Sequence, residues 1–324
     1  MEHMDPRLLT LVQEIMADLT DADRPPIPSR EPAPGQSRED WLDEVRTIRD
    51  AHDAAAKVLA VHLVTDAPKV ASVVDHKVEA DGRPLTARVF TPEAPGPHPG
   101  IVFFHGGAWW LAGGETNFAL TDDYCRTFAA RVPAVVVNID YRLAPEAAFP
   151  HQLHDSFAGL EWVVAHAAEL GIDPERIAVM GASSGGNQAA AVCLMARERG
   201  HPPIAAQILH VPVLDLTGGS PSLREDPSWD DLNNVIDLYA TGDQRSHPLA
   251  SPLLADTLAG LPPAVIVTGE YDALRDDGRR YVERLAADGV PVRHLHYPML
   301  HNIALPETSE QMFADMVSTI SDLG

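Results

Sequence analysis

The chain has 324 residues, 45% of them hydrophobic, and a formal net charge of −23 from 24 basic and 47 acidic side chains. This balance excludes nucleic acid and anionic membrane surfaces as partners, because both select basic faces. The apolar content is ample for a sizeable core, and the length is within reach of one large domain.

Met1 through Pro6 lack the basic and apolar regions of a signal peptide, and no apolar run reaches transmembrane length, so a cytoplasmic protein is expected. Residues Pro6 to Leu19 carry apolar side chains at helical spacing, and a Pro-rich stretch from Pro25 to Gly35 ends that pattern. A second helix is expected from about Arg38 to His62, with Trp41, Val45, Ile48, Ala55 and Leu59 on its apolar side. Val70 to Ala80 and Leu85 to Thr91 read as antiparallel strands joined at Asp81-Gly82, a hairpin signal.

Strand patterns then alternate with helical ones, at Gly100–His105, Ala134–Asp140, Ile177–Gly181, Ala206–Val213, Ala264–Thr268 and Val292–Tyr297. Such alternation predicts an α/β fold, a mainly parallel central sheet with helices on both faces. A polar, acidic insertion from about Leu216 to Leu254 breaks the rhythm and carries Trp229, Leu232, Val235, Ile236, Leu238 and Tyr239 on a short helix. The expected organisation is a helical segment over residues 1–69 and a main domain over 70–324, with an insertion at about 216–254; the resemblance drawn below makes the first and last of these a cap and the main domain catalytic. Cys125 and Cys193, both in partly apolar helical stretches, read as reduced core residues rather than a disulfide.

Four short segments carry chemistry. The apolar run Ile101-Val102-Phe103-Phe104 leads straight into His105-Gly106-Gly107-Ala108-Trp109, where a glycine loop lets backbone N–H groups approach a substrate oxygen. Gly181-Ala182-Ser183-Ser184-Gly185 joins a strand to an alanine-rich helix and matches the G-x-S-x-G elbow, which pushes a serine hydroxyl out of a tight turn. The N–H of Ser184 then points the same way at a helix N-terminus. Asp272 follows the strand ending at Thr268, and His301 follows the strand ending at Tyr297, so the order Ser, Asp, His matches the triad order of the elbow's fold. Asp272 would orient the imidazole and His301 would take the proton of Ser183.

These stretches, with Asp140 through Glu146, Ala250 through Leu253 and Glu270 through Gly278, resemble the hormone-sensitive-lipase-like branch of the α/β-hydrolases, over roughly residues 70 to 324. The resemblance implies an α/β-hydrolase fold with a helical cap and an esterase that needs no metal or cofactor. It assigns the triad to Ser183, Asp272 and His301, and the oxyanion hole to the Gly106, Gly107 and Ala108 loop with Ser184. It implies small neutral esters of short to medium acyl chain as substrates, makes the helices before the first strand a lid rather than padding, and admits a homodimer through the last strand and helix. Ala108 stands where the family usually has a third glycine, and Ala182 and Ser184 also depart from its pattern. These changes touch no catalytic group but bear on the size of ester accepted.

Other residues offer competing chemistry. His151 and His154 with the adjacent Asp155 lack a completing ligand set for a metal. His294 and His296 share a strand face too far from its end to rival His301. Asp276 and Asp277 open the helix after Asp272, where carboxylates suit its dipole. Of Trp109 and Trp110, one is expected to line the substrate pocket and one the core, as adjacent residues of an extended segment face opposite ways; Asn302 is a further pocket candidate. Asp140, Arg142 and Glu146 are expected to form loop-bracing ion pairs. An acyl transfer or amide-cleaving reaction on the same triad, and a non-catalytic binding module, are the alternatives; the second would be expected to lack a triad residue.

Overall fold

The computed structural model describes residues 4–17, 25–61 and 67–322; Leu19 and His62, the expected ends of the first two helices, lie outside them. The elements in order are α1 (Pro6–Ala17), α2 (Arg38–Val61), β1 (Ser72–Ala80), β2 (Arg83–Thr91), β3 (His98–Phe104), α3 (Glu115–Arg131), β4 (Val135–Asp140), α4 (His151–Ala165), β5 (Ile172–Ala182), α5 (Ser184–Arg199) and β6 (Ala206–His210). They continue with α6 (Pro221–Arg224), α7 (Trp229–Tyr239), two short 3₁₀ turns, β7 (Ala264–Gly269), α8 (Arg275–Ala287), β8 (Val292–Tyr297) and α9 (Pro306–Asp322).

The strands form one eight-stranded sheet in the order β1-β2-β4-β3-β5-β6-β7-β8. The β1–β2 and β2–β4 pairs are antiparallel and the others parallel. The hairpin turns where the Asp81-Gly82 signal places it, with φ of 50° and 72° at those two residues, as a two-residue loop matching the strand twist requires.

Alternate residues of the central strands feed two cores. Val102 and Phe104 face the layer of α4, α5 and α8, with Phe157, Leu160, Tyr281 and Leu285. Ile101 and Phe103 face the layer of α3 and α9, with Phe128, Met312 and Met316. Burial on both sides explains the unbroken apolar runs of these strands. Helix α5 is buried along most of its length, and its alanines let it lie close to the sheet. Cys125 and Cys193 are both buried and unpaired.

Strand bounds shift from those expected, with β1 starting at Ser72, β3 running His98–Phe104 and β5 starting at Ile172. β6 ends at His210 rather than Val213 because Val211 takes φ 42° and turns the chain away. The N–H groups of Leu214 and Asp215 then donate to the Asp277 carboxylate at 2.6 and 2.9 Å.

Candidate active site

Ser183 occupies the turn between β5 and α5 alone, with φ 55° and ψ −120°. A left-handed φ is strained for any residue but glycine and persists only where the surroundings over-determine it. Here they do. A Cβ on Gly181 would overlap the Gly185 carbonyl, and one on Gly185 would overlap the carbonyl oxygens of Phe104 and His105. The flanking glycines therefore serve close backbone approach. The Ser183 N–H donates to the His210 carbonyl at 2.9 Å, and its own carbonyl accepts the Asn187 N–H at 3.1 Å.

The loops after β7 and β8 are stitched together. The Glu270 and Tyr271 N–H groups donate to the carbonyls of Tyr297 and Met299 at 2.8 and 3.0 Å. That seam places Asp272 and His301 side by side, with Asp272 Oδ2 at 3.0 Å from His301 Nδ1 and Ser183 Oγ at 3.0 Å from His301 Nε2. The other Asp272 oxygen accepts the Leu274 N–H at 2.9 Å. A carboxylate only accepts, so Nδ1 carries the ring proton and Nε2 is left to accept from the Ser183 hydroxyl. Burial opposes protonation of His301, but the charge and hydrogen bond of Asp272 together outweigh it and hold the ring above the ordinary histidine value.

His105 is buried and stacks on Tyr141 with ring centroids 4.2 Å apart, and the Tyr141 hydroxyl donates to the His105 carbonyl at 2.7 Å. Burial pushes the His105 ring down to about 4, so it stays neutral and donates from Nδ1 to the Gly106 carbonyl at 2.6 Å. Beyond it, Gly107, Ala108 and Trp109 are successively left-handed, with φ of 115°, 49° and 63°. The Trp110 and Leu111 N–H groups close the turn on the Gly107 carbonyl at 3.1 and 2.8 Å. A Cβ on Gly107 would lie 2.5 Å from the Leu111 oxygen, so only glycine fits. The N–H groups of Gly107, Ala108 and Ser184 have no acceptor among the described residues.

Because residues 107–111 form a turn, the alternation expected of Trp109 and Trp110 fails. Both are buried, at 0% and 1% exposure. Trp109 stacks on Tyr239 at 4.6 Å between centroids, and Trp110 meets His52 edge-on at 5.2 Å. Asn302 is exposed at φ 58° directly after His301.

The ion pairs also differ from expectation. Arg142 binds the buried Asp155 rather than Asp140, at 2.5 and 2.7 Å. Asp140 instead accepts the Gly114 N–H at 2.8 Å, and Glu146 is paired with Arg49 of α2 at 2.6 Å. His151 and His154 therefore meet Asp81 rather than Asp155, with ligand atoms within 4.8 Å of one another. The Arg142 guanidinium, 3.7 Å from Asp81, works against a cation there. His294 and His296 both reach the Thr268 hydroxyl at 2.8 Å, away from Ser183. Asp277 lies in the first turn of α8 but is buried, bonded to Ser220 and the 214–215 backbone.

Arg49, Asp53 and Gln152, which carry no motif in the sequence, hold the Trp109–Ala112 turn together with Tyr239, expected on the insertion helix but not at this turn. The only local trace was the polar pair Arg49 and Asp53, four residues apart and thus on one face of α2.

A family model described as the alpha/beta hydrolase fold matches residues 101–305. The chain is 43% identical over 213 residues to carboxylesterase NlhH of Mycobacterium tuberculosis, covering 63% of this chain and 66% of that protein. It is 35% identical over 260 residues to an arylesterase of Saccharolobus solfataricus, covering 77% of this chain and 83% of the arylesterase. Among solved structures, a hyperthermophilic esterase from the archaeon Pyrobaculum calidifontis superposes with a TM-score of 0.78 at 34% identity, over 86% of this chain and 93% of the other.

Proposed function

Since the chain belongs to the α/β-hydrolase family, in its hormone-sensitive-lipase-like branch of carboxylic ester hydrolases, we propose that it is a serine carboxylesterase acting on small neutral esters of short- to medium-chain acids. The observation that carries this reading is the pair of 3.0 Å contacts joining Asp272, His301 and Ser183 at a strained strand-to-helix turn.

His301 Nε2 takes the Ser183 proton as Oγ attacks the ester carbonyl. The oxyanion that develops accepts from the N–H groups of Gly107, Ala108 and Ser184, fixed donors that need no reorganisation. His301 then protonates the leaving alcohol, and a water activated by the same ring releases the acid from Ser183. Asp272 holds the tautomer and stabilises the imidazolium. The chain's own groups make every proton transfer and oxyanion contact in this scheme.

The charge of −23 favours neutral over anionic substrates. We read α1, α2 and the α6–α7 insertion as the cap over this site; the contacts of α2 and α7 with the turn after Ala108 support that. No helix of the described residues is long and apolar enough to cross a membrane, and the reading places the protein in the cytoplasm, as a homodimer joined through β8 and α9.

The test is hydrolysis of p-nitrophenyl esters from acetate to laurate by wild type and Ser183→Ala. Turnover that peaks at short chains and vanishes in a folded Ser183→Ala is expected. Near-wild-type hydrolysis by that variant would sink the assignment.

A further inference from the structure

We propose that the cap helix α2 sets the conformation of the oxyanion loop, with Arg49 and Asp53 as positioning residues, so that turnover depends on a helix outside the site. The inference rests on the esterase reading, and goes beyond a lid that merely covers the pocket.

The loop does not hold itself. Three successive left-handed residues, two of them with side chains, are disfavoured by backbone sterics. The turn's own bonds are the two N–H donations to the Gly107 carbonyl. Three of the backbone groups that follow are held from elsewhere. The Trp109 carbonyl accepts from Gln152 Nε2 at 2.7 Å and from the Ala144 N–H at 2.9 Å. The Trp110 carbonyl accepts from Arg49 Nε at 2.6 Å, and the Ala112 N–H donates to Asp53 Oδ1 at 2.9 Å.

Arg49 does more than reach one carbonyl. Its Nη2 donates to the Ala144 carbonyl at 2.7 Å and, with Nη1, grips Glu146 at 2.6 and 3.0 Å. Because Ala144 is itself bonded to Trp109, one guanidinium ties the oxyanion turn, the 144–146 loop and α2 into a single unit. A planar fork with five donors can do this; a lysine ammonium at the same place cannot span all three. Asp53 is buried, and burial raises its carboxyl above the ordinary range despite the Ala112 N–H and the nearby Arg49 charge. A desolvated carboxylate kept on one backbone N–H is a constraint on that N–H.

Loosening the turn would misaim the Gly107 and Ala108 N–H groups. Those donors act on charge that exists only in the transition state, so kcat should fall while KM stays. A helix that only covered the pocket would change KM or stability instead.

The experiment compares Arg49→Leu, Arg49→Lys and Arg46→Leu with wild type. Arg46 lies on the same helix and 3.6 Å from Glu146, but touches no loop carbonyl. Readouts are kcat and KM on p-nitrophenyl butyrate, the labelling rate of Ser183 by a fluorophosphonate, and thermal unfolding. Arg49→Leu should lower kcat about 10- to 100-fold with KM within about twofold, and slow labelling in proportion. Arg49→Lys should fall between, and Arg46→Leu should match wild type. A folded Arg49→Leu with wild-type kcat overturns the proposal, as does an equal loss in Arg46→Leu. If Arg49→Leu does not fold, Arg49→Lys and Asp53→Asn decide the same comparison. If wild type hydrolyses no ester, labelling rates separate the two ideas. Fast labelling in wild type and slow labelling in the Arg49 variants keeps the positioning role while the esterase reading falls; no labelling at all removes both.

Discussion

The Trp109 indole lies parallel to the Tyr239 phenol ring, 4.6 Å between centroids and 3° between planes, so the last residue of α7 is stacked on the 107–111 turn. The Tyr239 hydroxyl also accepts from Gln188 Nε2 of α5 at 3.2 Å. Tyr239→Phe keeps the stack but leaves a buried amide unpaired, and should cost about 1–3 kcal/mol. Tyr239→Ala also opens a cavity and should cost about 3–5 kcal/mol. Chemical denaturation of the two variants reads this order directly. Equal losses would show that the stack contributes nothing.

On the proposed mechanism the pH dependence of kcat/KM follows from His301. The ring must be neutral to accept the Ser183 proton, and Asp272 raises its affinity for protons above the ordinary value despite burial. Activity should therefore fall with decreasing pH around a midpoint above about 6.5. In Asp272→Asn only burial remains, so the midpoint should move down, while kcat drops by about 10⁴ because the tautomer is no longer held. A pH–rate profile of both proteins checks the direction, and an unmoved midpoint would separate Asp272 from the titration.

Ala108 combines a left-handed φ of 49° with a methyl group beside its own N–H, one of the proposed oxyanion donors. Ala108→Gly should stabilise the fold by up to about 1 kcal/mol, since glycine adopts this conformation without steric cost. The same change should raise kcat/KM for bulky acyl groups more than for acetate. A ratio of bulky to small ester turnover equal to wild type's would clear Ala108 of any role in substrate size.

Asp277 is a structural carboxylate rather than a rival to Asp272. Burial pushes it up to about 6, opposed by donations from Ser220 and from the Leu214 and Asp215 N–H groups. Its folded value lies above the unfolded one, near 4, so the native state binds more protons between the two. The sign follows: this group's contribution to stability falls as pH rises from about 4 through about 6. Asp277→Asn should flatten that slope, whereas Asp277→Ala leaves three donors unpaired and should cost about 3 kcal/mol or more. Denaturation midpoints at pH 4.5 and 7.5 distinguish the two variants.

Much of the site was legible locally. The elbow glycines, the apolar run before His105 and the strand-end positions of Asp272 and His301 follow from short-range periodicity and turn chemistry, which the backbone enforces over a few residues. The pairing of Arg142, Asp140 and Glu146 was not legible. Asp140 ends β4 and the other two follow within six residues, yet each finds its partner elsewhere: Asp155 on α4 for Arg142, the Gly114 N–H ahead of α3 for Asp140 and Arg49 on α2 for Glu146. Nor was the fate of Trp109 and Trp110, because a turn of left-handed residues cancels the alternation that an extended chain would show.

The sequence by itself indicated the approximate places of the strands and of the first two helices, the two-residue Asp81-Gly82 hairpin and the chain order Ser183, Asp272, His301. Tertiary structure alone decided that β4 sits between β2 and β3. It also decided that Asp53 meets Ala112 and that Tyr239 covers Trp109. The physical reason is range. Helix and strand periods arise from sterics between neighbours, whereas contacts across dozens of residues form only when a whole sheet has packed and each buried polar group must find its partner.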